Sequence, residues 1–292
     1  MTIDLHTHSR VSDGTASPGD LVRAAAAAGL HALALTDHDT TSGWAEATDA
    51  AAEAGIALVR GIEISTRHRG QGVHLLAYLT DPGHAGLQAE LDRVVAGRDD
   101  RVPAMLERLR ELGVPATEEA LAEVAGDSVV TGRPHVADLL VHLGVVPDRD
   151  AAFADYLADG GPAFVDRYAP RLPDAIALVR AAGGVPVIAH PWGRGSAAVL
   201  GADALARLVD DGLAGLEVDH LDHGAREREE LRAIAERLGL LVTGSSDHHG
   251  TGKVGHDLGC ETTAPAVLRA IVETAAAQGS PTTLVGDVAG VV

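Results

Sequence analysis

Short apolar runs rich in Val, Ile, Leu and Ala alternate along the chain with longer Ala/Leu stretches whose apolar positions recur at helical spacing. That alternation predicts a parallel sheet joined by crossover helices. Strands are expected near Ile3–His6, Ala32–Thr36, Ala57–Ile64, Val73–Leu79, Val185–Ala189, Gly215–Val218 and Leu240–Ser245. Helices are expected between them, at Pro18–Ala28, Gly43–Ala54, Leu172–Ala182, Ala202–Asp211 and Ala225–Leu238. Ser17-Pro18 reads as a helix start, with serine as the cap and proline in the first turn. Seven strands with intervening helices predict an α/β barrel related to the TIM fold.

The regularity breaks between about Gly97 and Val165. This stretch reads as helices over Arg101–Leu112, Thr117–Val124, Pro134–Leu143 and Asp150–Ala158, without a convincing strand. It predicts a helical insertion, or lid domain, at 97–165 after the fourth strand, with the barrel built from 1–96 and 166–292. Phe153, Tyr156, Phe164 and, just beyond, Tyr168 fall here in a chain that is only 2% aromatic. Such a cluster is expected to form the small core of the insertion rather than to stack a base.

Composition narrows the class. With 292 residues and 46% apolar content the chain can bury a full core, which excludes disorder. No apolar run reaches the roughly 18 residues of a membrane-spanning helix. The start, MTIDLHTHSR, lacks a basic segment followed by an apolar one, so no secretory signal is expected. The one cysteine, Cys260, excludes an intrachain disulfide and a thiolate zinc site, and points to a cytoplasmic protein. A formal net charge of −19 repels polynucleotides, so neither a long nucleic acid nor a membrane is expected as a partner. An anionic substrate would need a strong local positive source, for which bound metal ions are the obvious candidate. Two usages matter: 15 histidines, and Lys253 as the only lysine among 23 basic residues.

The candidate chemistry starts at Asp4-Leu5-His6-Thr7-His8, where two imidazoles two residues apart project to one side of a strand. Metal-capable residues then recur at strand ends. Asp37-His38-Asp39 follows the second strand, Glu63 lies on the third, His74 on the fourth and His190 closes the fifth. Asp247 and His249 follow the seventh with the two-apart spacing repeated. In barrels the C-terminal strand ends form the active face, so this collection predicts a polynuclear metal site. A His/Asp/Glu set without thiolate suits zinc, manganese or iron. A carboxylate such as Glu63 can bridge two ions and leave positions for a bridging hydroxide, the nucleophile of two-metal hydrolysis.

These residues carry a resemblance. The segments DLHTHSRVSDGTASP, ALTDHDTTSG, GIEIS, VHLLAY, GRPHVADLLV, VIAHPWG, GLEVDH and GSSDHHG occur in the order seen in the PHP (polymerase and histidinol phosphatase) family of metal-dependent phosphoesterases. The chain is most similar to the stand-alone branch that includes 3′,5′-nucleotide bisphosphate phosphatase and a 5′→3′ exoribonuclease. The resemblance implies a distorted (β/α)7 barrel holding two or three divalent ions. It implies that His6, His8, Glu63 and Asp247 hold one ion and Glu63, His74 and His190 a second. Asp13, His38 and His249 would hold a third. Three divalent ions bring roughly +6 against Asp13, Glu63 and Asp247, a local excess of about +3 that suits a phosphoryl group.

Substrate contacts are expected from Arg133 and His135, which open an insertion helix, from Lys253 in the loop after His249, and from Arg194. His220, at the end of the sixth strand, is a candidate general acid; His256 reads as an ordinary histidine. The expected activity is hydrolysis of a phosphomonoester of a small nucleotide, releasing the 3′-phosphate of a nucleoside 3′,5′-bisphosphate. The alternatives are a 5′→3′ exoribonuclease on short RNA and a phosphatase or cyclic phosphodiesterase on another small ester such as histidinol phosphate. An amidohydrolase and a non-catalytic binding module stand further off.

Overall fold

The computed structural model describes residues 1–126 and 131–285, apart from the side chains of Asp99 and Arg194. The strands are β1 (Ile3–Thr7), β2 (Ala32–Leu35), β3 (Ala57–His68), β4 (Gln71–Tyr78), β5 (Val185–Ile188), β6 (Gly215–Asp219) and β7 (Leu241–Gly244). They form one sheet in chain order. A bridge between Thr7 and His248, just after β7, nearly closes it into a barrel. Helices α1 (Pro18–Ala27), α2 (Trp44–Ala54), α7 (Leu172–Ala181), α8 (Ala202–Asp210), α9 (Ala225–Leu238) and α10 (Pro265–Ala277) accompany the strands. Ser17 caps α1 as expected: its side chain accepts from the Asp20 amide, and Pro18 occupies the first turn.

The sheet is not wholly parallel. β4 runs antiparallel to both β3 and β5. Instead of a crossover helix, β3 and β4 share a two-residue turn, in which Arg69 and Gly70 have φ of 51° and 85°. Both residues at positive φ match the mirror-image turn whose twist suits a tight hairpin. The reversal has a functional consequence. In a strand that runs backwards the N-terminal half, not the C-terminal end, lies at the active face, and that is where His74 sits.

Strand alternation divides the apolar residues into two cores. Leu33, Leu35 and Leu58 pack with Leu21, Val22, Ala47 and Ala51 of the surrounding helices. Ala32, Ala34, Ala57, Val59, Leu76 and Val187 join Ile3, Leu5 and α10 in the second cluster. Glu63 continues the face of Ala57 and Val59 along β3, so the barrel interior is apolar at one end and ionisable at the other.

Between β4 and β5 lie α3 (Ala85–Glu111), α4 (Glu118–Ala125), α5 (Arg133–His142) and α6 (Arg149–Ala152), the last continuing as a π-helical turn over Phe153–Leu157. Helix α3 is unbroken across position 97 and carries Pro103 inside it. The segment has its own apolar cluster, with Met105, Leu109, Leu121, Leu140 and Leu157 at its centre and Phe153 and Tyr156 packed against it. Among the described residues no helix is long and apolar enough to cross a membrane.

Candidate metal centre

The ionisable end of the barrel gathers around one carboxylate. Glu63 is fully buried, and its two oxygens meet five imidazoles. Oε2 lies 3.1 Å from His6 Nε2, 3.1 Å from His8 Nε2 and 3.3 Å from His38 Nδ1. Oε1 lies 2.7 Å from His74 Nδ1 and 3.2 Å from His190 Nε2. Asp247 Oδ1 stands 3.4 Å from both His6 Nε2 and His8 Nε2, which are themselves 3.0 Å apart. Bonds of about 2.0–2.1 Å to a common ion put neighbouring ligand atoms about 3.0–3.4 Å apart, so these four side chains have the dimensions of a cage.

A second gathering lies on the far side of His8. Asp13 Oδ1 is 3.3 Å from His249 Nε2 and 3.6 Å from His8 Nδ1, and Oδ2 is 3.6 Å from His38 Nε2. The expected set of Asp13, His38 and His249 is thus brought together, with His8 beside it. The buried Nδ1 atoms of His8 and His38 have no hydrogen-bond partner among the described residues, so protein groups alone leave this buried polar cluster incompletely satisfied. The donor set therefore fits two or three divalent ions.

Carboxylates behind the histidines fix which nitrogen carries the proton. His6 donates from Nδ1 to Glu217 Oε1 at 3.0 Å, which leaves Nε2 free to bind. Glu217 Oε2 accepts from the His190 amide at 2.8 Å, and Oε1 also accepts from Ser245 Oγ. His249 donates from Nδ1 to the Asp247 carbonyl at 2.8 Å, which likewise frees its Nε2. Asp37 accepts from the Ser9 amide and the Ser9 and Ser12 hydroxyls, holding the loop that carries Asp13. Asp39 accepts from the Ser65 amide and hydroxyl and pairs with Arg98. Both aspartates beside His38 thus hold backbone and neighbours instead of facing an ion. Asp4 has the same role toward Ser246 and Gly259. The backbone at Asp39, His190 and Asp247 adopts positive φ, strain kept by this bonding around the centre.

The remaining candidates divide. His220 Nδ1 accepts the Asp222 amide at 3.0 Å, so its proton is on Nε2, which donates to Asp247 Oδ2 at 3.3 Å. In this state His220 orients Asp247. Lys253 also reaches Asp247 Oδ2, so the ammonium lies over the centre. Arg133 stands over the rings of Phe153 and Phe164 and pairs with Asp159 at 2.7 Å. Buried His135 accepts the Gly132 amide at the start of α5. The side chain of Arg194 lies outside the described residues. His256, read as ordinary, lies close to His220 and Asp247, and its Nδ1 donates to the Ser246 carbonyl.

Electrostatics couples these groups. Burial opposes ionisation of Glu63 and Asp13, but the imidazoles outweigh it and hold both well below the usual carboxylate range. Burial also opposes the charged form of His8, yet Asp247 and Glu63 raise it to about 9, and His6 is likewise pushed well above its ordinary value. An ion must displace these protons. Manganese affinity should therefore rise as pH climbs from 6 toward 9, with protons released on binding. Calorimetry in buffers of different ionisation enthalpy measures both, and a pH-independent affinity would contradict the arrangement.

Residues 4–95 match the PHP domain. The chain is 36% identical to a 3′,5′-nucleoside bisphosphate phosphatase of Chromobacterium violaceum, over 92% of this chain and 94% of the relative. It is 36% identical to a 5′-3′ exoribonuclease of Haemophilus influenzae, over 84% and 89%. A solved structure from Bifidobacterium adolescentis, described as a metal-dependent phosphoesterase, superposes with a TM-score of 0.89 at 38% identity, covering 93% of this chain and 96% of that one. The sequence motifs, the seven-stranded barrel and the carboxylate-centred cage converge with these likenesses: the chain belongs to the PHP family and is a metal-dependent phosphoesterase.

Proposed function

We propose that this phosphoesterase removes the 3′-phosphate from a nucleoside 3′,5′-bisphosphate. The observation that carries this reading is the extent of the likeness to the bisphosphate phosphatase, which takes in the insertion as well as the barrel. We assign His6, His8, Glu63 and Asp247 to one ion, Glu63, His74 and His190 to a second, and Asp13, His38 and His249 to a third. Bound manganese, iron or zinc supplies Lewis acidity toward the phosphoryl oxygens and toward water. Glu63 holds five imidazoles at one point, and Glu217 keeps the His6 lone pair aimed at it. Lys253, from the loop after His249, places a cation where the scissile phosphate would lie. Residues 97–165 act as a lid that brings Arg133 and His135 to the substrate, with Arg194 approaching from the loop after His190. A cytoplasmic setting suits a chain whose one cysteine is exposed and free.

The test is phosphate release by the manganese-reconstituted protein from adenosine 3′,5′-bisphosphate, adenosine 5′-monophosphate, histidinol phosphate and a short 5′-phosphorylated RNA, with His6→Ala as control. Preference for the bisphosphate, lost in the variant, is expected. Preference for the RNA would transfer the reading to an exoribonuclease. Silence toward all four in metal-loaded protein would remove both.

A further inference from the structure

The tip of the β3–β4 hairpin gathers positive charge in a chain whose formal net charge is −19. Arg67, His68 and Arg69 follow one another there, and the backbone brings Arg171, the cap residue of α7, beside them. The Arg67 amide donates to the Pro170 carbonyl at 2.8 Å, and Arg67 and Arg171 form a parallel bridge. Between the turn and the start of α7 lies a cavity of about 420 Å³, lined by Arg67, His68, Arg69, Gly70, Arg171 and Pro173. No acidic residue lines it.

The charges around this cavity are unevenly paired. Arg67 reaches Asp166, and Arg171 stands 3.8 Å from Asp174 with both side chains exposed. Among the described residues the Arg69 side chain has neither an ion pair nor a hydrogen bond. His68 Nε2 is buried without a hydrogen-bond partner. Burial, followed by Arg69, Arg207 and Arg171, pushes the His68 imidazole below its ordinary value, against the pull of Asp211. A neutral imidazole still donates one N–H, so every polar side chain lining the cavity is a donor and none is negative. The ten-residue α7 points its positive end at the same place and has no side-chain cap, although Asp174 in its first turn offsets part of that field. A neighbouring hollow of about 310 Å³ on the other side of Arg69 includes Asp203, which makes it the poorer seat for an anion.

The cavity stands apart from the metal centre. His68 lies five residues beyond Glu63 on β3, roughly 16 Å at the usual strand rise. We propose that Arg69, Arg171 and His68 form a second ligand site, which takes a phosphate group from solution, either free phosphate or the phosphate of a nucleotide monoester. A tetrahedral dianion can accept from both forked guanidiniums and from the imidazole at once. The volume leaves room for more than the phosphate. Bound there, the anion ties the hairpin that bears Glu63 and His74 to the chain returning from the insertion. The site requires neither the ions nor the bisphosphate reading.

Equilibrium dialysis of labelled inorganic phosphate against the metal-loaded full chain tests it. Phosphate at the metal centre contributes equally in wild type and variants, and the outer site should bind about 10- to 100-fold more weakly in Arg171→Gln and in Arg69→Gln. Neither substitution should change kcat/KM in phosphate-free buffer by more than about twofold. Trypsin supplies a second readout: cleavage after Arg69 should slow as phosphate is added to wild type, and not in Arg171→Gln. A non-hydrolysable 5′-phosphonate of adenosine that displaces the outer phosphate identifies a nucleotide as the ligand, and failure to displace it identifies free phosphate. Equal phosphate stoichiometry and affinity in wild type and both variants, or equal occupancy by chloride at the same concentration, overturns the proposal.

Discussion

Glu63→Gln is expected to lower turnover of any phosphoester substrate by roughly 10³-fold or more and to strip the protein of metal. The substitution preserves shape and removes one charge, so its effect isolates what the carboxylate does. Both Glu63 oxygens are acceptors, one toward His6, His8 and His38 and the other toward His74 and His190. A carboxamide keeps one acceptor and turns an NH2 group toward the other set, so one of the two proposed ion sites that share Glu63 loses a ligand outright and the other keeps only a neutral oxygen. Asp13→Asn, which touches the outer group and, of the first site's ligands, only His8, should remain about tenfold or more active than Glu63→Gln. Phosphate release and elemental analysis on the same samples measure both quantities. A Glu63→Gln protein with full metal content and activity within tenfold of wild type would remove Glu63 from the centre.

Ligand types recurring at strand ends made the gathering legible, and the resemblance supplied the expected ligand set, Asp13 included. His6, His8, His38, Glu63, His74, His190, Asp247, His249 and the turn residue Asp13 all come within one connected network. Strand direction was not legible. Alternation has the same period read forwards or backwards, so β4 looked like one more parallel strand, and Arg69-Gly70 is a weak hairpin signal beside Asn-Gly. The length of α3 was also hidden: it runs unbroken through position 97, the expected boundary, and past Pro103, which would ordinarily argue for a break. Carboxylates that hold histidines have the same residue types as carboxylates that hold ions, so Asp4 and Glu217 carried no mark of their own, and Asp37 and Asp39 were metal-capable by type alone. Arg98 and Arg101 were invisible for another reason. An arginine on a helix reads as solvated, and only the packing of α3 against β3 and α5 shows them buried.

The residue with the second-largest expected effect touches no proposed ion at all. Glu217 is fully buried on β6 and accepts three hydrogen bonds: His6 Nδ1–H and Ser245 Oγ–H at one oxygen, the His190 amide at the other. Burial opposes its charge, but His6 outweighs burial and holds it down at about 2, so it is ionised at any working pH. Glu217→Gln would set an NH2 group either against the His190 amide or against the His6 and Ser245 donors. If it faces the His190 amide, the strained backbone at His190, with φ of 29°, loses its anchor. If it faces His6, the imidazole can satisfy it only by accepting at Nδ1, which moves the proton to Nε2 and blocks the lone pair aimed at Glu63. The first outcome weakens the second proposed site and the other weakens the first, in neither case by removing a ligand. Manganese affinity is expected to drop about 10- to 100-fold, with kcat recovering in part at saturating metal. That recovery separates Glu217 from Glu63, whose loss excess manganese should not repair. Titrating activity against manganese in the two variants reads the difference directly. Equal, irreparable losses would make Glu217 a ligand, and an affinity within twofold of wild type would make the His6 tautomer irrelevant to binding.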